Sequence, residues 1–234
     1  MATWTNSFLL PYFALQFHNH SLTHPPTIPR LSTRQRLFKR CFDIVIASFG
    51  LLFAAPLITV GWVIARFSSG ASGFFVQQRI GLRGVPFPLF KLRTMRVLGE
   101  VTTTVTSGND IRITPMGAVL RKLKIDELPQ LANVLLGHMS LVGPRPDVPG
   151  FADQLEGVDQ IILSVQPGIT GPATLRFRKE EEILANATDP ESYNREVIWP
   201  EKVRLNTEYI ENYSIWTDIK CLAQTALPML AKQN

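Results

Sequence analysis

The sequence predicts a compact α/β domain of mostly helical content. One N-terminal, Pro-kinked re-entrant helix and amphipathic interfacial helices hold it at the cytoplasmic face of a membrane. Three observations predict it. An apolar run of 22 uncharged residues lies between two basic flanks. Helical spacing recurs through the second half, while the strand signal concentrates in PFPLFKLRTM (86–95). Charge is split, with eleven Lys/Arg and the single acid Asp43 in residues 1–99, against thirteen Lys/Arg and eighteen acids in residues 100–234. A chain of 234 residues can bury a sizeable core. Cys41 and Cys221 stand far apart without ligand spacing, as inert buried thiols in a reducing compartment would.

The apolar run, residues 44–65, would extend about 33 Å as a helix, enough to cross a hydrocarbon core. It assigns the basic half to a lipid surface rather than to nucleic acid. Arg30, Arg34, Arg36, Lys39 and Arg40 precede it, and Arg66, Arg79, Arg83, Lys91, Arg93 and Arg96 follow it. Basic flanks favour the cytoplasm, and one straight span cannot leave both there. Pro56 has no amide donor and crowds the preceding turn, so a bend at Pro56 returns the helix to its starting side. A Pro-kinked spanning helix is the alternative.

Three regions result. Residues 1–29 are uncharged and Pro-punctuated, an ill-ordered leader. Residues 30–66 are a basic amphipathic lead-in, with Leu37, Phe38, Cys41 and Phe42 as its apolar side, followed by the membrane helix. Residues 67–234 form the remaining domain. Within it we expect an interfacial loop at 66–78, a strand in 86–95 and a polar loop at 100–111. Helices are expected at 114–124, from the Asp126–Glu127 pair to Leu136 with Gly137 as its stop, and at 151–163. Residues 176–196 read as solvated helix and loop. Ile215, Trp216, Ile219, Leu222, Ala223, Ala226 and Leu227 form a helical stripe behind a Ser214 cap, suited to core or membrane alike.

The chemistry concentrates in Arg121-Lys-Leu-Lys-Ile-Asp126-Glu127-Leu-Pro129-Gln130. Pro129 suits a first helical turn, placing Asp126 and Glu127 at a helix N-terminus, where amides and dipole favour anions. An ordinary cap would look the same. Arg121, Lys122 and Lys124 should keep Asp126 ionised. Pro144 and Pro146 restrict the backbone around Arg145, as a phosphate clamp or a plain turn would require. Lys91 and Arg93, two apart on a strand, share one side and suit phosphate or lipid headgroups. Gln166-Pro-Gly168-Ile-Thr-Gly171 reads as a tight loop admitting close backbone approach to a ligand.

In order, KR..D, the apolar segment, FVQQRIG, FKLRTM, IDELPQLANVL, MSLVGPRP and QPGITG resemble the bacterial sugar transferase family. These are monotopic phosphoglycosyl transferases that initiate glycan assembly on polyprenyl phosphate, and the likeness runs from about Arg36 to Leu227. The resemblance implies a re-entrant helix broken at Pro56, a bacterial inner-membrane location, a cytoplasmic-face active site and Mg2+. It implies a UDP-sugar donor and a polyprenyl phosphate acceptor, and leaves homo-oligomerisation open. Asp126 would be the nucleophile and Glu127 its partner in proton handling, and both would bind the metal. Arg145 between Pro144 and Pro146, with Arg121, Lys91 and Arg93, would bind phosphate or nucleotide. Three positions depart from the family pattern: Ala55 for Ser before the proline, His138 for an acid before Met-Ser, and Gly171-Pro172 after the QPGIT run. A membrane-associated nucleotide-sugar phosphohydrolase and a non-catalytic membrane scaffold are the rival readings.

Overall fold

A computed structural model describes residues 31–97 and 110–227. The expected leader and most of the loop at 100–111 lie outside the described residues.

Helix α1 (Thr33–Ser69) begins at a capping box. The Ser32 hydroxyl accepts from Gln35 N–H, and the Gln35 side chain accepts from Ser32 N–H at 2.8 Å. It ends at Gly70, whose φ of 72° is left-handed. Pro56 lies inside it, and the Thr59 hydroxyl donates to the Ala55 carbonyl at 2.9 Å. That hydrogen bond gives the segment a local polar contact even though Ala55 has no hydroxyl of its own. The helix is long and apolar enough to cross a membrane. Phe53 and Phe67 are 78% and 83% exposed, a face suited to lipid. Its buried residues fall at the two ends, Lys39, Asp43 and Ala47 in one group and Gly61 and Ala65 in the other.

Strands β1 (Phe74–Ile80) and β2 (Pro86–Leu92) form an antiparallel hairpin, pairing Phe74 with Leu92 and Ile80 with Pro86. The strand in 86–95 is thus as expected, whereas the loop expected at 66–78 is shorter. The helix continues through Arg66 to Ser69, and Phe74-Phe75-Val76 enter the hairpin, as aromatic and β-branched residues favour. Helix α2 (Pro115–Lys122) is capped by the Thr114 hydroxyl, which accepts from Gly117 N–H at 2.9 Å.

The helix expected to start at Asp126 instead starts at Gln130, as α3 (Gln130–Leu135). Ile125–Glu127 form a tighter 3₁₀ turn. Pro129 has no N–H to bond the Ile125 carbonyl four residues back, so Leu128 N–H takes that carbonyl at 3.2 Å. With α3 only six residues long, the anticipated field of a full helix end is weak.

Strands β3 (Ser140–Val142) and β4 (Gly168–Thr170) pair in parallel. A Cβ on Gly168 would lie 2.1 Å from the Gly143 nitrogen, and one on Gly171 2.5 Å from the Gly143 oxygen. The close approach expected of the QPGITG segment is therefore made to its own backbone partner. Residues 151–163 form two 3₁₀ segments, Ala152–Gln154 and Gly157–Ser164, rather than one helix, because Glu156 is extended and Gly157 has φ 60°.

Helices α4 (Pro172–Arg176), α5 (Glu180–Ala185), α6 (Pro190–Tyr193), α7 (Trp199–Glu211) and α8 (Ile215–Ala226) complete the order. The Ser214 hydroxyl caps α8 through Trp216 N–H. Its stripe divides: Leu222 packs on the core, where Cys221 outside the stripe is also buried, while Trp216 is 74% exposed. The main core joins Leu89, Val134, Met139, Val142, Ile161 and Tyr209. A second cluster sets Ala65 of α1 against Leu92 and Leu120, with Ile125 beside them.

Candidate active site

Three segments converge on the carboxylate pair. Lys124 enters the 3₁₀ turn in the left-handed region, φ 57°, a conformation that costs energy in a residue with a side chain. Behind the turn, Ile125 and Leu92 pack against Gly61 of α1. A Cβ at Gly61 would meet Leu92 Cδ1 at 2.6 Å and Ile125 Cγ2 at 3.2 Å. Ahead of it, Asn133 of α3 is wholly buried. Its Oδ1 accepts from Phe90 N–H at 3.0 Å and its Nδ2 donates to the Pro88 carbonyl at 2.7 Å. These two hydrogen bonds to β2 hold Lys91 opposite the pair.

The two carboxylates differ. Glu127 accepts from Lys91 Nζ at 3.3 Å and from both terminal nitrogens of Arg145. Burial alone would raise its carboxyl, but Arg145 and Lys91 outweigh that and hold it well below the usual range. Asp126 is 7% exposed, and its Oδ1 is buried without a hydrogen-bond partner. Burial and the charge of Glu127 push its carboxyl up to about 6, against Lys91, Arg121 and Lys124. Burial thus exceeds the pull of the nearby cations and raises its proton affinity, yet at about 6 the group is still mostly ionised at neutral pH, as expected. The Lys91 ammonium falls to about 8, through burial first and with Glu127 opposing.

Arg145 sits on a braced loop. Pro144 and Pro146 are buried, and the Pro144 carbonyl accepts from Gly168 N–H at 2.7 Å. Arg79 donates to the Pro146 carbonyl at 3.2 Å, and Ile80 N–H to the Asp147 carbonyl at 2.9 Å. Of the sequence candidates, Asp126, Glu127, Lys91 and Arg145 come together. Arg93 does not join them. β2 ends at Leu92, and the Arg93 guanidinium turns to the Ser72 and Phe74 carbonyls. Arg121 pairs with Glu181 and acts on Asp126 only through its field. Pro56 lies in α1, apart from this cluster in sequence. Arg79 and Asn133 brace the site without standing out as candidates by residue type, although both lie within the FVQQRIG and IDELPQLANVL runs.

The model of the bacterial sugar transferase family matches residues 34–232. This chain belongs to that family. The sugar transferase is 34% identical over 203 residues to the exopolysaccharide production protein ExoY of Rhizobium meliloti, covering 80% of this chain and 83% of that one. It is 36% identical over 201 residues to the UDP-glucose:undecaprenyl-phosphate glucose-1-phosphate transferase of Escherichia coli, covering 83% of this chain and 40% of that longer protein. The protein of the same name from Caulobacter vibrioides is 34% identical over 212 residues, 88% and 74% of the two chains.

Proposed function

We propose that this sugar transferase moves a sugar-1-phosphate from a UDP-sugar to polyprenyl phosphate, through a covalent intermediate on Asp126, as the first step of a glycan assembly. The observation that carries it is the unequal pair: Glu127 is clamped by Lys91 and Arg145, while Asp126 keeps an unbonded oxygen. An Asp126 oxygen attacks the sugar-bearing phosphorus, and the bond to the UMP oxygen breaks, UMP leaving with that electron pair. A polyprenyl phosphate oxygen then attacks the same phosphorus, forming the lipid diphosphate-sugar and freeing Asp126. Arg145 and Lys91, held in place beforehand, offset phosphate charge as it shifts between groups.

Magnesium fits these donors. Among the described residues no cluster of three or more His, Cys, Asp or Glu forms a metal cage, and one buried carboxylate oxygen stands unpartnered. That suits an ion which keeps waters and shares substrate phosphates. Asp126 would hold it, with Glu127 beside it, and when bound it would neutralise pyrophosphate charge.

The membrane geometry is part of the same proposal. Both ends of α1 bury residues against one domain, which favours a helix that dips in and returns over one crossing to the far side. Leu37, Phe38, Met116 and Val119 are exposed on basic helices, as interfacial placement at the cytoplasmic face requires. UMP release from a panel of UDP-sugars, with and without polyprenyl phosphate and magnesium, tests the function. Magnesium-dependent, lipid-linked product supports it. UMP formed equally without lipid would make the protein a hydrolase, and no UMP would leave a scaffold.

A further inference from the structure

The Lys39-Arg40-x-x-Asp43 turn of α1 takes no part in that chemistry, yet each of its polar side chains holds a different element. Lys39, 6% exposed, pairs with Asp218 of α8 at 2.6 Å. Arg40 donates to the Val134 carbonyl and, at 2.9 Å, to the Leu135 carbonyl. Both are end carbonyls of α3, where the regular helical partners run out; the Val134 carbonyl also accepts from Gly137 N–H at 3.0 Å. Asp43, 3% exposed, accepts from Leu141 N–H at 3.0 Å, midway along β3. The adjacent donor Ser140 N–H goes to the Pro167 carbonyl on the β4 side, while the Leu141 donor finds Asp43 instead. Cations before a membrane helix ordinarily meet headgroups, and an acid there is unfavourable. Here the group is turned inward.

The two halves of the site hang from two of these contacts. Helix α3 begins three residues after Glu127, and β3 ends three residues before Arg145. We infer that Arg40 and Asp43 are positioning residues. Within one turn of one helix they fix α3 against β3, and so set the reach between Arg145 and Glu127. The inference rests on the transferase reading of that pair.

Turnover in lipid vesicles, the membrane-bound share of protein, and hydrogen exchange of the intact protein test it together. Asp43→Leu and Arg40→Met should each lose turnover on the order of tenfold to hundredfold, as small misplacements of reacting groups do. The KM for polyprenyl phosphate and the membrane-bound share should stay as in wild type. Asp43→Asn, whose amide oxygen still accepts from Leu141, should retain most turnover. Exchange should quicken across residues 140–147 in Asp43→Leu and across 130–136 in Arg40→Met. Arg36→Ala, which removes an exposed cation of the same flank, should lower membrane binding and leave turnover of the bound protein intact.

Should Asp43→Asn fall as far as Asp43→Leu, or turnover drop only in step with membrane binding, the turn acts through charge and the inference fails. A wild-type protein that releases no UMP would overturn the transferase reading instead. The exchange pattern then still decides the positioning, which is refuted if 140–147 stays as protected in Asp43→Leu as in wild type.

Discussion

Arg145 spans both oxygens of Glu127 with its two terminal nitrogens, and this pairing gives two adjacent carboxylates different surroundings. Glu127 is an anchored anion, while no hydrogen bond or ion pair to the Asp126 carboxylate appears among the described residues.

The first expectation follows from that difference. Asp126→Asn should abolish the sugar-phosphate adduct detected by intact-protein mass spectrometry after mixing with UDP-sugar and magnesium. Glu127→Gln removes the counter-charge of Lys91 and Arg145 and should slow turnover roughly hundredfold or more while leaving some adduct. An adduct that maps to Glu127 would reverse the assignment.

Arg145→Lys should cost about tenfold to hundredfold in turnover. A lysine ammonium cannot span two oxygens, and charge-assisted hydrogen bonds are worth ~1.5–3 kcal/mol. Steady-state kinetics of the variant near wild type would reduce Arg145 to a source of positive field.

Asn133→Ala should lower stability by roughly 2–4 kcal/mol, because it strands the Phe90 N–H and the Pro88 carbonyl without their buried partner. It should also weaken turnover, since β2 carries Lys91. A denaturation midpoint equal to wild type would mean that water or a neighbouring group replaces the amide.

Topology is tested with single cysteines near Arg36 and Ser72, in a background without Cys41, which is exposed against the expectation of a buried thiol that Cys221 alone meets. Both should label from the cytoplasmic side alone. Periplasmic labelling of either would establish a full crossing. Pro56→Leu restores the missing amide donor and should shift the population toward that crossing.

Local features were readable and long-range ones were not. The apolar run and the Ser214 cap are legible in residue type and spacing alone, and Pro129 marks a helix start, although the first helical residue is Gln130 rather than Asp126. Lys91 and Arg93 looked equivalent because alternation assumes the strand continues, but β2 stops between them. Arg121 looked like a site cation until Glu181, 60 residues later, claimed it. Lys39 and Arg40 read as headgroup ligands because the sequence shows charge beside a membrane segment and cannot show burial. Their partners lie 179 and about 95 residues away.

The two buried ends of α1 also bear on how such a protein can be engineered. A chain cut to start at Gly70 would lose Ala47 and Ala65 from the core and bare the faces of Val134, Leu92 and Leu120 that they cover. Asp218 would keep its tyrosine donors but lose its counter-ion, and the Leu141 amide would lose its acceptor. A foreign transmembrane segment spliced on at that point would restore membrane attachment and none of these contacts. Such hybrids should collect as insoluble aggregate, because the helix that enters the lipid is also a wall of the folded domain.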